Sequence, residues 1–387
     1  MDRSVEQSLL TAAARAFLEG GATPELAALA ARPVDWEWIV RRADDQRLGA
    51  LLHSVVSCLS IPAGVRDRLR VAWVSGRRQY LLGAQQLTKV LSDFEREGVP
   101  VIPLRGPALA ELLYRDPSLR PFTDLDLLVR EADLPRALPL LARLGYRHLE
   151  GGHSLSHELA WRHAASFVSG RPDELPIDLH WGLVDYPGIA PTTAVHHQEL
   201  WDRAVRTETS RGAYLGLCPE DLLIYLALHW AIHHALAGLG WQLDLALLIR
   251  RQGDAWNWEV AAERARRWQI RGAIFHALRE VRERFEVAIP PWFLARLRPA
   301  GPRRILLDRL RHRGEERLER LDYLIPFLVM DKGSDILRAL SGAVLPPASW
   351  LRCRYGKPSA FSAYLAHWAR IGRACARTVG AGLGRAH

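Results

Sequence analysis

The chain has 387 residues, 49% of them hydrophobic, with 52 Lys and Arg against 43 Asp and Glu, a net charge of +9 and a pI near 9.8. That apolar content suffices for a buried core and excludes a disordered chain, and the length points to two or three domains. Four widely spaced cysteines with no Cys-x-x-Cys unit exclude a disulfide framework and a cysteine-ligated zinc site. With no leader pattern in the first seven residues, the expected setting is a reducing cytoplasm. The basic surplus suits nucleic acid, anionic lipid or nucleotide, but the arginines are spread over many helical stretches with acids between them. Most therefore read as solvated helix faces.

From Val5 to Phe94 the pattern is almost wholly helical, with predicted helices at Glu6–Glu19, Thr23–Ala31, Asp35–Asp44, Gly49–Leu59, Ala63–Trp73 and Gly76–Glu97. Gly98–Gly106 then reads as a short apolar strand ending in Arg105-Gly106. Pro107–Tyr114 reads as a helix, with proline at the tolerated first position. A glycine between a strand and a helix N-terminus lies where backbone N–H groups and the helix dipole receive a phosphate.

Asp124 and Asp126 follow, in the run Arg120-Pro-Phe-Thr-Asp-Leu-Asp-Leu-Leu-Val129. On a strand, side chains at i and i+2 share a face roughly 6 to 7 Å apart, so two carboxylates repel unless a cation lies between them. Hard oxygen ligands suit Mg²⁺ or Mn²⁺, with a phosphate-bearing substrate completing the coordination. An amphipathic helix over Glu131–Leu144, stopped by Gly145, leads to extended Tyr146–Leu149. The stretch Glu150–Ala165 begins as a loop, and its His153, His157 and His163 receive no role.

Leu175–Leu183 alternates Ile177, Leu179 and Trp181 against Asp178 and His180, which reads as a strand with Glu158–Val168 as its antiparallel partner. A buried Asp178 is costly without a counter-charge. Beside Asp124 and Asp126 it becomes a third metal ligand or a general base.

Helices resume at His196–Arg203, Pro219–Ala237, Gly240–Arg251, Trp258–Trp268, Arg271–Phe285 and Pro291–Leu297, then a charged helix over Gly301–Arg320 and an irregular, Pro- and Gly-rich tail. The longest apolar stretch, Leu222–Trp241, contains His229, His233 and His234 and so reads as a core helix rather than a membrane span. His229 and His233 share a helix face. They are candidates to line the acceptor side of a pocket or to bind metal, while the more ordinary reading makes them buried histidines hydrogen-bonded to Asp244 or to backbone. The expected class is α+β: a small mixed sheet at residues 98–190, between a helical region at 1–97 and a second at 191–320, with a tail of mixed irregular and helical structure at 321–387.

A strand ending in a basic residue and glycine, a helix, Arg-x-x-x-Asp-x-Asp-Leu-Leu-Val, and then Ile-Asp-Leu-His-Trp together resemble the nucleotidyltransferase superfamily that includes DNA polymerase beta. Within it the chain is similar to a bacterial, uncharacterised family often found beside lasso-peptide and other natural-product genes. The matching positions are Leu104-Arg-Gly106, Leu113-Tyr114, Arg120, Asp124-Leu-Asp126, Gly145-Tyr146 and Asp178-Leu-His-Trp181. Two departures stand out. Gly106-Pro107 replaces the superfamily's Gly-Ser, and Arg105 replaces the closer family's lysine, an exchange that keeps phosphate contact but forgoes proton transfer.

The resemblance implies transfer of a nucleoside monophosphate from a nucleoside triphosphate to a hydroxyl-bearing acceptor (a small molecule, sugar or peptide natural product), with release of pyrophosphate. Asp124, Asp126 and Asp178 then bind Mg²⁺ or Mn²⁺, Gly106 receives triphosphate oxygens, Arg105 and Arg120 neutralise charge on them, and His180 orients Asp178 or meets the acceptor. Replacing Asp124 and Asp126 together with Asn is expected to abolish turnover at an equal or higher melting temperature, through relief of repulsion. Transfer of a phosphoryl or glycosyl-phosphate group, and nucleotide or partner binding without catalysis, are the other readings. Nucleic acid is a disfavoured partner, since no helix-hairpin-helix or aromatic-basic stacking motif is present.

Overall fold

A computed structural model of the protein describes residues 3–149, 154–184, 193–311 and 324–383. His153 and the second half of the predicted helix Gly301–Arg320 lie outside them. The chain is α+β, as expected: a five-stranded mixed sheet and a separate two-stranded hairpin, surrounded by helices.

The five strands are β1 (Ile102–Pro103), β2 (Leu125–Leu128), β3 (Tyr146–His148), β4 (Ala164–Ser169) and β5 (Ile177–His180), in the order β1-β2-β5-β4-β3. β2 and β5 are parallel neighbours; every other pairing is antiparallel. Leu125, Leu127, Ile177 and Leu179 project into one hydrophobic core with Val90 and Phe94 of the long N-terminal helix and Leu140 and Leu141 of the helix Leu134–Arg143. Each such side chain contributes about 1.5–3 kcal/mol on burial. With a period of two, that burial forces Asp126, Asp178 and His180 to the opposite face, and a one-residue slip would drive the acids into the apolar core.

On that opposite face the helices before and after the sheet share a second core. Ser4–Glu19 and Gly49–Val56 pack with Pro219–His233, Leu239–Gln252 and Arg271–Phe285, and Ile102, Leu104, Leu109 and Leu128 join them. A helical lid of two sequence-distant parts thus closes over the acidic face.

Three elements differ from expectation. The predicted break before Gly76 is absent, and Ala63–Arg96 is one 34-residue helix. Gly76 serves instead as a close-approach point, since a Cβ there would lie 2.7 Å from the Ser118 carbonyl oxygen. The predicted strand Glu158–Val168 is a helix, Leu155–Trp161, capped by Ser154, followed by β4; only its second half pairs with β5. The hairpin β6 (Val205–Thr209) and β7 (Gly212–Gly216) has no counterpart in the sequence reading. The C-terminal tail, expected to mix irregular and helical structure, forms the helices Ile325–Leu328, Gly333–Val344, Ala348–Tyr355 and Ala360–Leu383, with Pro346-Pro347 and Pro358 lying between helices rather than breaking them.

Candidate active site

The parallel pairing of β2 with β5 places Asp126 directly beside Asp178, and Leu128 beside His180. Asp126, Asp178 and His180 each offer a ligand atom, and these atoms lie within 4.8 Å of one another, a group able to hold a metal ion. The Ser166 hydroxyl of β4 donates to Asp178 Oδ1 at 2.6 Å. His180 Nε2 lies 3.3 Å from Asp126 Oδ1, so His180 meets Asp126 rather than Asp178. Asp124 sits one residue before β2, half-buried, and its carboxylate receives the Thr123 hydroxyl at 3.4 Å. It lines the same cleft but stands outside the close trio.

Gly106 opens the helix Gly106–Leu113 with φ of +61°, and a Cβ there would lie 3.0 Å from the Asp124 carbonyl oxygen. Both the left-handed backbone and the close approach call for glycine. Arg105, just before it, is largely buried and bridges two walls of the cleft. Its Nη2 donates to Asp126 Oδ1 and its Nη1 to His229 Nε2. Arg120 is also buried. It grips Asp244 through Nε and Nη2 at 2.9–3.1 Å, while its Nη1 donates to the Gly106 carbonyl at 3.4 Å. Tyr114 donates to the same Asp244 at 2.8 Å. Asp244 therefore serves Arg120 and Tyr114, not the histidines, and through Arg120 it fixes the turn at Gly106.

The electrostatics follow from this packing. Burial, reinforced by the neighbouring Asp126 carboxylate, pushes the Asp124 pKa up to about 6. Burial acts on Asp126 in the same direction, but the Arg105 guanidinium and then His180 outweigh it and hold that carboxyl well below the usual range. Desolvation, with Arg105 alongside, drives the pKa of His229 far down and that of His234 to about 3. His229 and His234 are thus neutral at physiological pH.

His229 and His233 stack at 5.0 Å between ring centroids, and His234 stacks on Trp241 at 4.2 Å. The Arg47 guanidinium covers Trp241 at 4.6 Å from a backbone with φ of +63°. Together these residues line a cleft of about 360 Å³ that also holds Tyr225, Glu158 and Arg162. The cleft brings together every candidate site residue expected from the sequence except Asp244, which lies behind Arg120. Arg47, Ser166, Tyr225, His234 and Trp241 were missed. Ser166 and Arg47 reach the site through pairings that no local pattern announces, whereas His234 and Trp241 stand in the apolar, histidine-containing stretch Leu222–Trp241 and were the findable ones.

An acid pair aligned across parallel strands, beside a glycine-led helix start and two buried arginines, fits a metal-dependent nucleotidyltransferase. A family model described as "Uncharacterised nucleotidyltransferase" matches residues 32–286, well over half of the chain, and the chain belongs to that family. Comparison with curated proteins finds no match. Among the described residues no helix is long and apolar enough to cross a membrane.

Proposed function

We propose that this protein transfers a nucleoside monophosphate from a nucleoside triphosphate to a hydroxyl on a small molecule, sugar or peptide, and releases pyrophosphate. The observation that carries the proposal is the Asp126–Asp178 register, which sets two carboxylates and His180 side by side on the cleft floor. Oxygen-rich donors with one imidazole suit Mg²⁺ or Mn²⁺. Asp124, on the same side of the cleft and with its pKa raised by burial and by Asp126, is the further carboxylate beside them. Asp126, Asp178 and Asp124, with His180 beside them, are the residues that would hold the ion. When bound, the ion supplies Lewis-acid stabilisation of phosphate charge and lowers the pKa of the acceptor hydroxyl.

The remaining roles belong to the chain. Backbone N–H groups at Gly106 and the first turn of its helix receive triphosphate oxygens, aided by the helix dipole. Arg105 stands ready to turn from Asp126 to phosphate, and Arg47 extends the positive wall above it. Arg120, committed to Asp244 and the Gly106 carbonyl, is a positioning residue rather than the direct phosphate ligand expected from the sequence. Trp241 and Tyr225 offer aromatic faces to a base or acceptor. Asp178, oriented by Ser166, takes the acceptor proton as the acceptor oxygen attacks the α-phosphorus. The bond from that phosphorus to the β-phosphate oxygen breaks, and pyrophosphate leaves.

The Arg105–Asp126 contact also favours a second reading, a nucleotide-binding protein without transfer, because the cation already occupies the central carboxylate. Calorimetric titration of ATP, GTP, CTP and UTP, each with and without Mg²⁺, into wild type and Asp126→Asn separates the readings. Mg²⁺-dependent binding lost in the variant, with pyrophosphate release once an acceptor is supplied, supports transfer. Equal binding with and without Mg²⁺ supports the second reading. No binding of any of the four refutes both.

A further inference from the structure

Arg47 stands where a helix end ordinarily carries glycine. It follows the helix Trp36–Asp45. Its N–H donates to the Asp44 carbonyl at 3.0 Å, and the Leu48 N–H donates to the Ala43 carbonyl at 2.7 Å. This doubly bonded helix end needs a left-handed residue at that position, and Arg47 supplies it with φ of +63°. Glycine adopts the conformation at no steric cost, whereas a side chain there is disfavoured.

The side chain kept at that cost is not spent on the fold. Among the described residues the Arg47 guanidinium makes no hydrogen bond and no ion pair; its partner is the face of Trp241 at 4.6 Å. An aromatic face steadies a guanidinium without using its N–H donors. The two neighbouring guanidiniums are committed, Arg105 to Asp126 and His229, and Arg120 to Asp244 and the Gly106 carbonyl. Arg47 is half-buried, and burial followed by Arg120 holds its pKa below the usual guanidinium value, with Asp124 acting the other way. Its placement is nevertheless fixed. The Gly240 N–H donates to the Gln46 carbonyl at 3.3 Å, and a Cβ at Gly240 would lie 2.8 Å from that oxygen. The helix end that bears Arg47 is thereby seated on the start of the helix Leu239–Gln252.

We propose that Arg47 binds the phosphates of the donor beyond the α-phosphate and makes the cleft selective for a triphosphate over a di- or monophosphate. A strained, steadied and partly desolvated cation whose donors the protein leaves unused awaits an anion from outside the chain. The proposal rests on the reading that the Gly106 turn receives the triphosphate. The charges that act most on Arg47 are Arg120, Asp124, Arg105 and Asp244, the set gathered at that turn. An anionic group on the acceptor fits less well, because the acceptor half of the cleft is built from Asp178 and Ser166 on β5 and β4. The N-terminal helices thus supply a donor-reading residue as well as a lid.

The test is calorimetric titration, with Mg²⁺ present, of the tri-, di- and monophosphates of adenosine, guanosine, cytidine and uridine, and of inorganic tripolyphosphate. Each is titrated into wild type, Arg47→Gly and Arg47→Gln, and the thermal unfolding of each protein is measured alone. Wild type is expected to bind the triphosphate of its preferred base about tenfold or more tighter than the diphosphate, the size of a charge-assisted hydrogen bond. Both variants should lose that preference and keep their monophosphate affinity. Arg47→Gly should melt no lower than wild type, because it relieves the left-handed backbone and removes an uncompensated cation. A triphosphate preference that survives in Arg47→Gln overturns the proposal. So does an equal loss for all three phosphate lengths, which marks a packing role, and so does a wild type with no preference to lose. Binding of tripolyphosphate that both variants lose, with no nucleotide bound, supports the role of Arg47 and removes the nucleotidyl reading. Binding of neither by wild type overturns both. Should Arg47→Gly not fold, Arg47→Gln decides.

Discussion

Asp124 and Asp126 are expected to affect stability in opposite directions. In metal-free protein the Asp124 pKa rises from 3.8 to about 6, so the folded state binds a proton more readily than the unfolded state. Its contribution to stability is therefore full below about pH 4 and is lost as pH rises through 6. The shift of about 2 pH units corresponds to a penalty of at most about 3 kcal/mol at pH 8 and about half that at pH 5. Asp124→Asn removes the penalty. The buried Arg105–Asp126 pair is the reverse case, since Asp126→Asn strands a buried guanidinium at a cost of about 3–5 kcal/mol. The two effects offset in the double variant, which corrects the expectation that relief of repulsion alone would govern it. Thermal unfolding in EDTA at pH 5 and pH 8 is the assay, at roughly 1–2 °C per kcal/mol for a chain of this length. Asp124→Asn should melt a few degrees above wild type at pH 8 and by less at pH 5, and Asp126→Asn should melt below wild type at both. An Asp124→Asn gain that is equal at the two pH values, or an Asp126→Asn protein as stable as wild type, would refute the electrostatic account.

Gly106→Ala should lose about 1–2 kcal/mol, because its φ of +61° and the 3.0 Å approach to the Asp124 carbonyl oxygen both disfavour a side chain; denaturant unfolding reads the loss, and triphosphate affinity should fall with it. Asp244→Asn should weaken the grip on Arg120, lowering stability by about 3 kcal/mol and raising KM for triphosphate more than it lowers kcat, since Arg120 acts through the Gly106 turn. A kcat loss with unchanged KM would place Arg120 in the chemistry instead. Ser166→Ala should leave triphosphate affinity near wild type and reduce kcat about tenfold, because it removes only the 2.6 Å bond that orients Asp178; steady-state kinetics at saturating acceptor distinguish this from a binding defect.

Local pattern was enough to determine the α+β class, the positions of β2 and β5 and the acids on them, and the glycine at the helix start. Those features depend on short-range rules: strand alternation separates Asp126, Asp178 and His180 from Leu125, Leu127, Ile177 and Leu179, and a strand-to-helix turn requires a residue free to adopt positive φ. The family resemblance could not sort its own motif residues by role. Trp181 and Tyr146 proved to be core residues, Tyr146 accepting a hydrogen bond from Gln86 at 2.8 Å, and Tyr114 supports Asp244. Only the tertiary structure decided which cation meets which carboxylate. Arg105 on Asp126, Arg120 on Asp244 and Arg47 over Trp241 join residues 21, 124 and 194 positions apart. A buried charge takes whichever counter-charge packing brings within reach. Segments far apart in the chain supply that counter-charge here, and no local periodicity encodes it.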